Sequence, residues 1–198
     1  MDPKHAGDSY DFVKRTLLSV RPRNRAFLAV PMFTKESPKI ELDQYIEFLG
    51  VEKPSSEVCL VPKYRRDRPS WLEQIRTVVK KGQCHLFIDP NTGIRAGDNK
   101  GKKPRDYIGM NDLKVLLKDS GDMLLLCYNQ SFAYAKEGEL KKARAKKLRE
   151  LGSSGGIHSC YFWSHTCILA ASCNEKVLSD WKNGVLALGV PPRRLQDC

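Results

Sequence analysis

A chain of 198 residues suits one substantial hydrophobic core better than two, and 41% hydrophobic with 29% charged residues is the make-up of an ordinary globular domain. Lys and Arg number 34 against 23 Asp and Glu, giving a net charge of +11 and a pI near 9.4, a balance that favours a polyanionic partner. No apolar run approaches the roughly 18 residues needed to span a bilayer, and the start Met1-Asp2-Pro3-Lys4-His5 lacks the apolar centre of a signal peptide, so a cytoplasmic protein without membrane attachment is expected.

The first element is a helix that Ser9 can cap, with Phe12, Val13, Leu17 and Val20 at helical spacing and Lys14 and Arg15 on its outer face. Pro22 ends it. Arg25 to Phe33 then reads as a buried strand running into Pro31-Met32-Phe33-Thr34. A nucleotide-binding α/β fold carries a glycine-rich turn at this place, and this segment holds no glycine. A helix over Glu41 to Leu49 stops at Gly50, and Val58 to Val61 reads as a short strand. Pro62 to Arg68 is a basic connector holding Arg65 and Arg66. The next helix opens near Pro69, runs through Trp71, Leu72, Ile75 and Val79, and ends at Gly82, with Lys80 and Lys81 complementing its dipole.

The central stretch is Cys84-His85-Leu86-Phe87-Ile88-Asp89-Pro90-Asn91-Thr92-Gly93. Its apolar middle suits a strand buried on both faces, which places Asp89 at the carboxyl end of that strand, where open α/β sheets gather their ligands. Asn91 to Gly109 reads as a long loop carrying Arg95, Lys100, Lys102, Lys103 and Arg105. Asn111 can cap a short helix through Leu117, and Met123 to Tyr128 forms a second buried strand that exits at Asn129-Gln130-Ser131. Glu137 to Leu151 is rich in helix-forming Lys, Arg, Ala, Glu and Leu. Ile157 to Trp163 and Thr166 to Ser172 read as an antiparallel hairpin at the sheet edge, followed by a helix over Glu175 to Leu188 and a Pro-rich tail. The alternation predicts a single α/β domain over residues 1–198. Its architecture is a three-layer Rossmann-like sandwich with a mainly parallel sheet, closed by the C-terminal antiparallel hairpin.

Seven cysteines, an odd number, include Cys59, Cys84, Cys127, Cys160 and Cys167 inside apolar runs, with no C-x-x-C pair. Reduced, buried thiols are expected. His158, Cys160, His165 and Cys167 form a doublet that shares strand faces, but the gap between the pairs is not a zinc spacing, and core packing is the expectation.

From Cys84 onward the chain resembles the second half of class I S-adenosylmethionine-dependent methyltransferases. A buried strand ends in Asp89-Pro90; a helix, the strand Leu124 to Tyr128, another helix and the closing pair Ile157 to Ser172 follow. The likeness is to amino-group methyltransferases acting on nucleic acids, including the large-subunit ribosomal RNA adenine-N6 type. It also extends to bacterial proteins with an Asp-Pro-Asp/Asn-x-Gly segment. The resemblance implies S-adenosylmethionine as cofactor and a site around Asp89, Asn91, Asn129 and Gln130. Asp89 would accept hydrogen bonds from an exocyclic amine, Asn91 would contact the base edge, and Tyr128 or Phe132 would stack. Two departures stand beside it: Asn91-Thr92-Gly93 replaces a second proline and an aromatic, and the glycine-rich turn is absent.

The basic connectors, with Arg65, Arg66, Arg95, Lys100, Lys102, Lys103 and Arg105, offer phosphate contacts to DNA or RNA. Lys141, Lys142, Arg144, Lys146, Lys147 and Arg149 on the helix over Glu137 to Leu151 are ambiguous, with a solvated face as the expectation. Two alternatives remain open. One is a non-catalytic nucleic-acid-binding module with a degenerate cofactor site. The other is a metal-dependent nuclease using Asp89 with Asp98, Asp106 or Glu57.

Overall fold

The computed structural model describes residues 9–32, 39–53, 67–96, 106–118, 120–130, 137–153 and 155–197. The elements in chain order begin with α1 (Ser9–Leu18), β1 (Phe27–Pro31), α2 (Lys39–Leu49), α3 (Arg68–Gly82) and β2 (His85–Asp89). Next come β3 (Gly93–Arg95), β4 (Tyr107–Gly109), α4 (Met110–Leu117) and β5 (Leu125–Tyr128). The chain closes with α5 (Glu137–Gly152), β6 (His158–Trp163), β7 (Cys167–Ser172), α6 (Glu175–Ala187) and β8 (Leu195–Asp197). The predicted strand at Val58 to Val61 lies outside the described residues.

Six strands form one mixed sheet in the order β1-β2-β5-β7-β6-β8. The pairs β1–β2 and β2–β5 are parallel, whereas β5–β7, β7–β6 and β6–β8 are antiparallel. Four of the six strands, β1, β2, β5 and β6, therefore run the same way. The strands β1, β2, β5 and β7 are buried at every residue, so both faces of the sheet are covered. The helices α1 and α2 pack on each other, and α6 joins them through Trp181, whose indole N–H donates to the Leu17 carbonyl at 3.3 Å. The helices α3, α4 and α5 form the second packed set.

The expected antiparallel hairpin is present as β6 and β7. Its second strand, β7, inserts between β5 and β6 because the small apolar run Cys167-Ile168-Leu169-Ala170-Ala171 tolerates neighbours on both edges. The strand β6 is only partly buried and takes the outer place, and the tail read as Pro-rich coil adds β8 beyond it. A short polar strand such as Leu195-Gln196-Asp197 suits an edge, since it offers little to a further strand. The long loop after Asp89 is corrected too. Within it β3 and β4 pair in parallel, with Ile94 opposite Ile108, both fully buried.

Lys14 is the clearest correction. It stands inward, 4% exposed, because a carboxylate on the neighbouring sheet end draws it there.

Candidate functional site

Strand β2 delivers Asp89 to the carboxyl end of the parallel strands, level with Pro31 of β1. The side chain is 2% exposed. Its Oδ2 accepts from Lys14 Nζ at 3.0 Å and from the Tyr45 hydroxyl. The same ammonium reaches Asp11 Oδ1 at 2.9 Å and lies 4.2 Å from the centroid of the Tyr128 ring. One cation thus sits among two carboxylates, a phenol and an aromatic face.

Burial alone would depress the Lys14 pKa, but the charges of Asp89 and then Asp11 outweigh it and hold the value above the ordinary 10.5. Tyr45 is pushed well above its ordinary value by burial first and by the charge of Asp89 next. Both groups are therefore locked as donors to the carboxylate.

Successive strand residues face opposite sides, and the exit of β5 uses both. Tyr128 lies under Lys14, whereas Asn129 turns toward β3 and β6. Asn129 is 1% exposed; its Oδ1 accepts from the Ile94 N–H at 3.1 Å and its Nδ2 donates to the Tyr161 hydroxyl at 3.0 Å. Lys147 of α5 completes this second cluster by donating to the Ile94 carbonyl at 2.6 Å. Burial lowers its pKa to about 8.

The other sequence candidates are more dispersed. Asn91 is exposed, with its Nδ2 at 3.5 Å from Asp106 Oδ1, and Gln130 is exposed. Arg95 is half-buried with its guanidinium 4.7 Å from the centroid of Tyr107, and its Nη1 is buried with no hydrogen-bond partner among the described residues. Arg65, Arg66, Lys100, Lys102, Lys103, Arg105, Phe132, Asp98 and Glu57 lie outside the described residues. Among the described residues no group of three His, Cys, Asp or Glu side chains could hold a metal ion.

The resemblance places S-adenosylmethionine at the exit of β1. Pro31 and Met32 are buried there, and the Met32 N–H donates to the Asp89 carbonyl at 3.0 Å. That backbone donor is used within the sheet and the acid beside it is ion-paired, while the turn that follows, residues 33–38, lies outside the described residues.

A further cluster at this end escaped the sequence reading. Trp163, where β6 ends, has the guanidinium of Arg144 at 4.7 Å and that of Arg194 at 4.8 Å from its ring. Arg144 is held by Gln196 Oε1 at 2.8 Å, and the Gln196 amide donates to the Lys141 carbonyl at 3.2 Å. The basic residues of α5 and of the tail are a weak signal, because only the pairing of β8 with β6 brings the tail beside Trp163.

Comparison with protein-family models, with curated proteins and with solved structures finds no match to this chain. No helix among the described residues is long and apolar enough to cross a membrane.

Proposed function

We propose that this chain is a Rossmann-like, three-layer nucleic-acid-binding protein that works as a binding module. The observation that carries the reading is the half-buried Trp163, flanked by two arginines at the sheet end, in a chain of net charge +11. Such a corner suits a single strand: half-buried Arg194 meets a phosphate, buried Arg144 holds the indole in place, and the exposed part of the ring supplies aromatic surface for a base. Exposed Lys141 and Arg193 border the same corner and extend the positive track.

The polar groups that a methyltransferase would turn on a base amine are spent inside the protein. Asp89 is paired with Lys14 and Tyr45, and both ends of the Asn129 amide are hydrogen-bonded. This supports binding over methyl transfer and makes Asp89 a positioning group for α1 and α2. The methyltransferase reading keeps one point in its favour, the Asp-Pro exit from a central parallel strand.

Fluorescence titration with single-stranded oligonucleotides tests the proposal, since Trp71 and Trp181 are buried and Trp163 is the accessible reporter among the described tryptophans. Saturable quenching is expected, and Trp163→Phe is expected to abolish the signal while a mobility assay still shows binding. Absence of binding to DNA and RNA of any strandedness sinks the reading. Saturable calorimetric binding of S-adenosylmethionine restores the enzyme in its place.

A further inference from the structure

At the amino end of the parallel strands, the side opposite Asp89, a cavity of about 170 Å³ opens where α3 and α4 end. Arg25, Arg76, Lys80 and Lys118 line it, and no acid does so among the described residues. Arg76 has its counter-charge in Glu73, and the other three cations share the hollow with no acid of the described residues in its lining, a surface whose potential favours an anion. Arg76 is braced from outside the cavity by Glu73 Oε2 at 2.7 Å and by the Lys118 carbonyl at 3.2 Å, which fixes the guanidinium before any ligand arrives. A second observation points the same way. Ser120 borders the cavity, and its buried Oγ has no hydrogen-bond partner among the described residues. The remaining wall is apolar, with Val79, Leu86 and Met123.

We propose that this cavity is a binding site for a compact organic phosphate, with the phosphoryl group against the cations and Ser120 and the carbon part against the apolar wall. Size selects the class. A volume of about 170 Å³ takes a phosphoryl group with part of a small carbon skeleton, the rest standing at the open mouth. It falls below the roughly 300 Å³ where sites for larger ligands begin, which excludes a dinucleotide. The assignment is independent of the nucleic-acid reading, because the two surfaces lie at opposite ends of the strands.

Calorimetric titration of the full chain with ribose 5-phosphate tests it, and inorganic phosphate serves as competitor. Saturable binding is expected, competed by inorganic phosphate, and Arg25→Gln is expected to weaken it at least tenfold with an unchanged circular-dichroism spectrum. A second readout needs no variant. Cys84 lines the cavity and is half-buried, so ribose 5-phosphate is expected to protect its thiol from alkylation in peptide mapping, while half-buried Cys173 elsewhere stays unprotected. The proposal is overturned if no saturable heat appears at millimolar ligand, or if the sugar phosphate binds and leaves Cys84 unprotected. It is equally overturned if a single-stranded oligonucleotide protects Cys84 where ribose 5-phosphate does not, since the cavity then belongs to the nucleic-acid surface.

Discussion

A single proton position decides how His85 serves the fold. Its Nδ1 accepts from the Leu124 N–H at 3.0 Å, so its Nε2 carries the hydrogen that goes to the Pro22 carbonyl at 2.9 Å. Burial, followed by the charges of Arg25 and Arg23, lowers the pKa from 6.5 to about 4, and protonation would also turn a hydrogen on Nδ1 toward the Leu124 N–H. The native state therefore binds this proton later than the unfolded chain. Stability is complete above pH 6.5 and drains away as pH falls toward 4, by about 3 kcal/mol for this group. Urea midpoints measured from pH 7 to pH 4 should trace that limb. His85→Phe should flatten it while costing about 2 kcal/mol at neutral pH through the two orphaned backbone groups. Lys14 answers to the opposite end of the scale. Its raised pKa makes its contribution complete below 10.5 and lost as pH climbs through the higher native value. Lys14→Met strands Asp89 without its cation and should cost about 3–5 kcal/mol, lowering the melting temperature by about 10 °C. Adding Asp89→Leu should recover much of that loss, because the penalty belongs to an unpaired charge rather than to the pair. A double variant as unstable as the single one contradicts this account.

Among the elements, β3 depends on a glycine more than on its own three residues. Gly93 has a φ of 123°, and a Cβ there would stand 2.6 Å from Asn129 Oδ1 and 3.0 Å from the Gln130 nitrogen. The strand lies this close because the Asn129 amide must reach the Ile94 N–H. Gly93→Ala should then cost about 2–3 kcal/mol and release β3 and β4 from β5. Faster hydrogen exchange at the Ile94 amide, with unchanged protection at Leu86 in β2, is the expected signature. The two central strands, β2 and β5, are legible in the sequence. The apolar run before Asp89 and the one before Asn129 declared two central strands, because burial on both faces leaves no polar residue in the middle. The three-residue ladder of β3 and β4 was not readable. Its stability comes from a side-chain amide on a distant strand and from Lys147, and no local periodicity records either. The tail strand β8 was hidden for a similar reason: Gln196 and Asp197 read as solvent-facing polar residues until β6 lies beside them. Lys14 was misplaced because helical spacing sorts by hydropathy alone, and a lysine that answers a buried carboxylate follows the partner instead.

For the whole molecule, the net charge of +11 predicts affinity for polyanions but not its geometry, and the salt response separates the two. If binding were a diffuse effect of total charge, many cations would share it and the affinity would collapse steeply as salt is added. The corner at Trp163 instead offers a small set: Arg194 beside the ring, with Lys141 and Arg193 exposed nearby. Arg144 is buried and tied to Gln196, so it shapes the ring's surroundings more than it meets phosphate. Three phosphate contacts on a single strand correspond to a slope of about −2 in the logarithm of the binding constant against that of salt. Arg194→Gln should reduce that slope by somewhat less than one and weaken binding uniformly across sequences, whereas Trp163→Ala should weaken binding about tenfold while leaving the slope in place, because stacking releases no counterions. A common shift of slope in both variants would place the strand on another face.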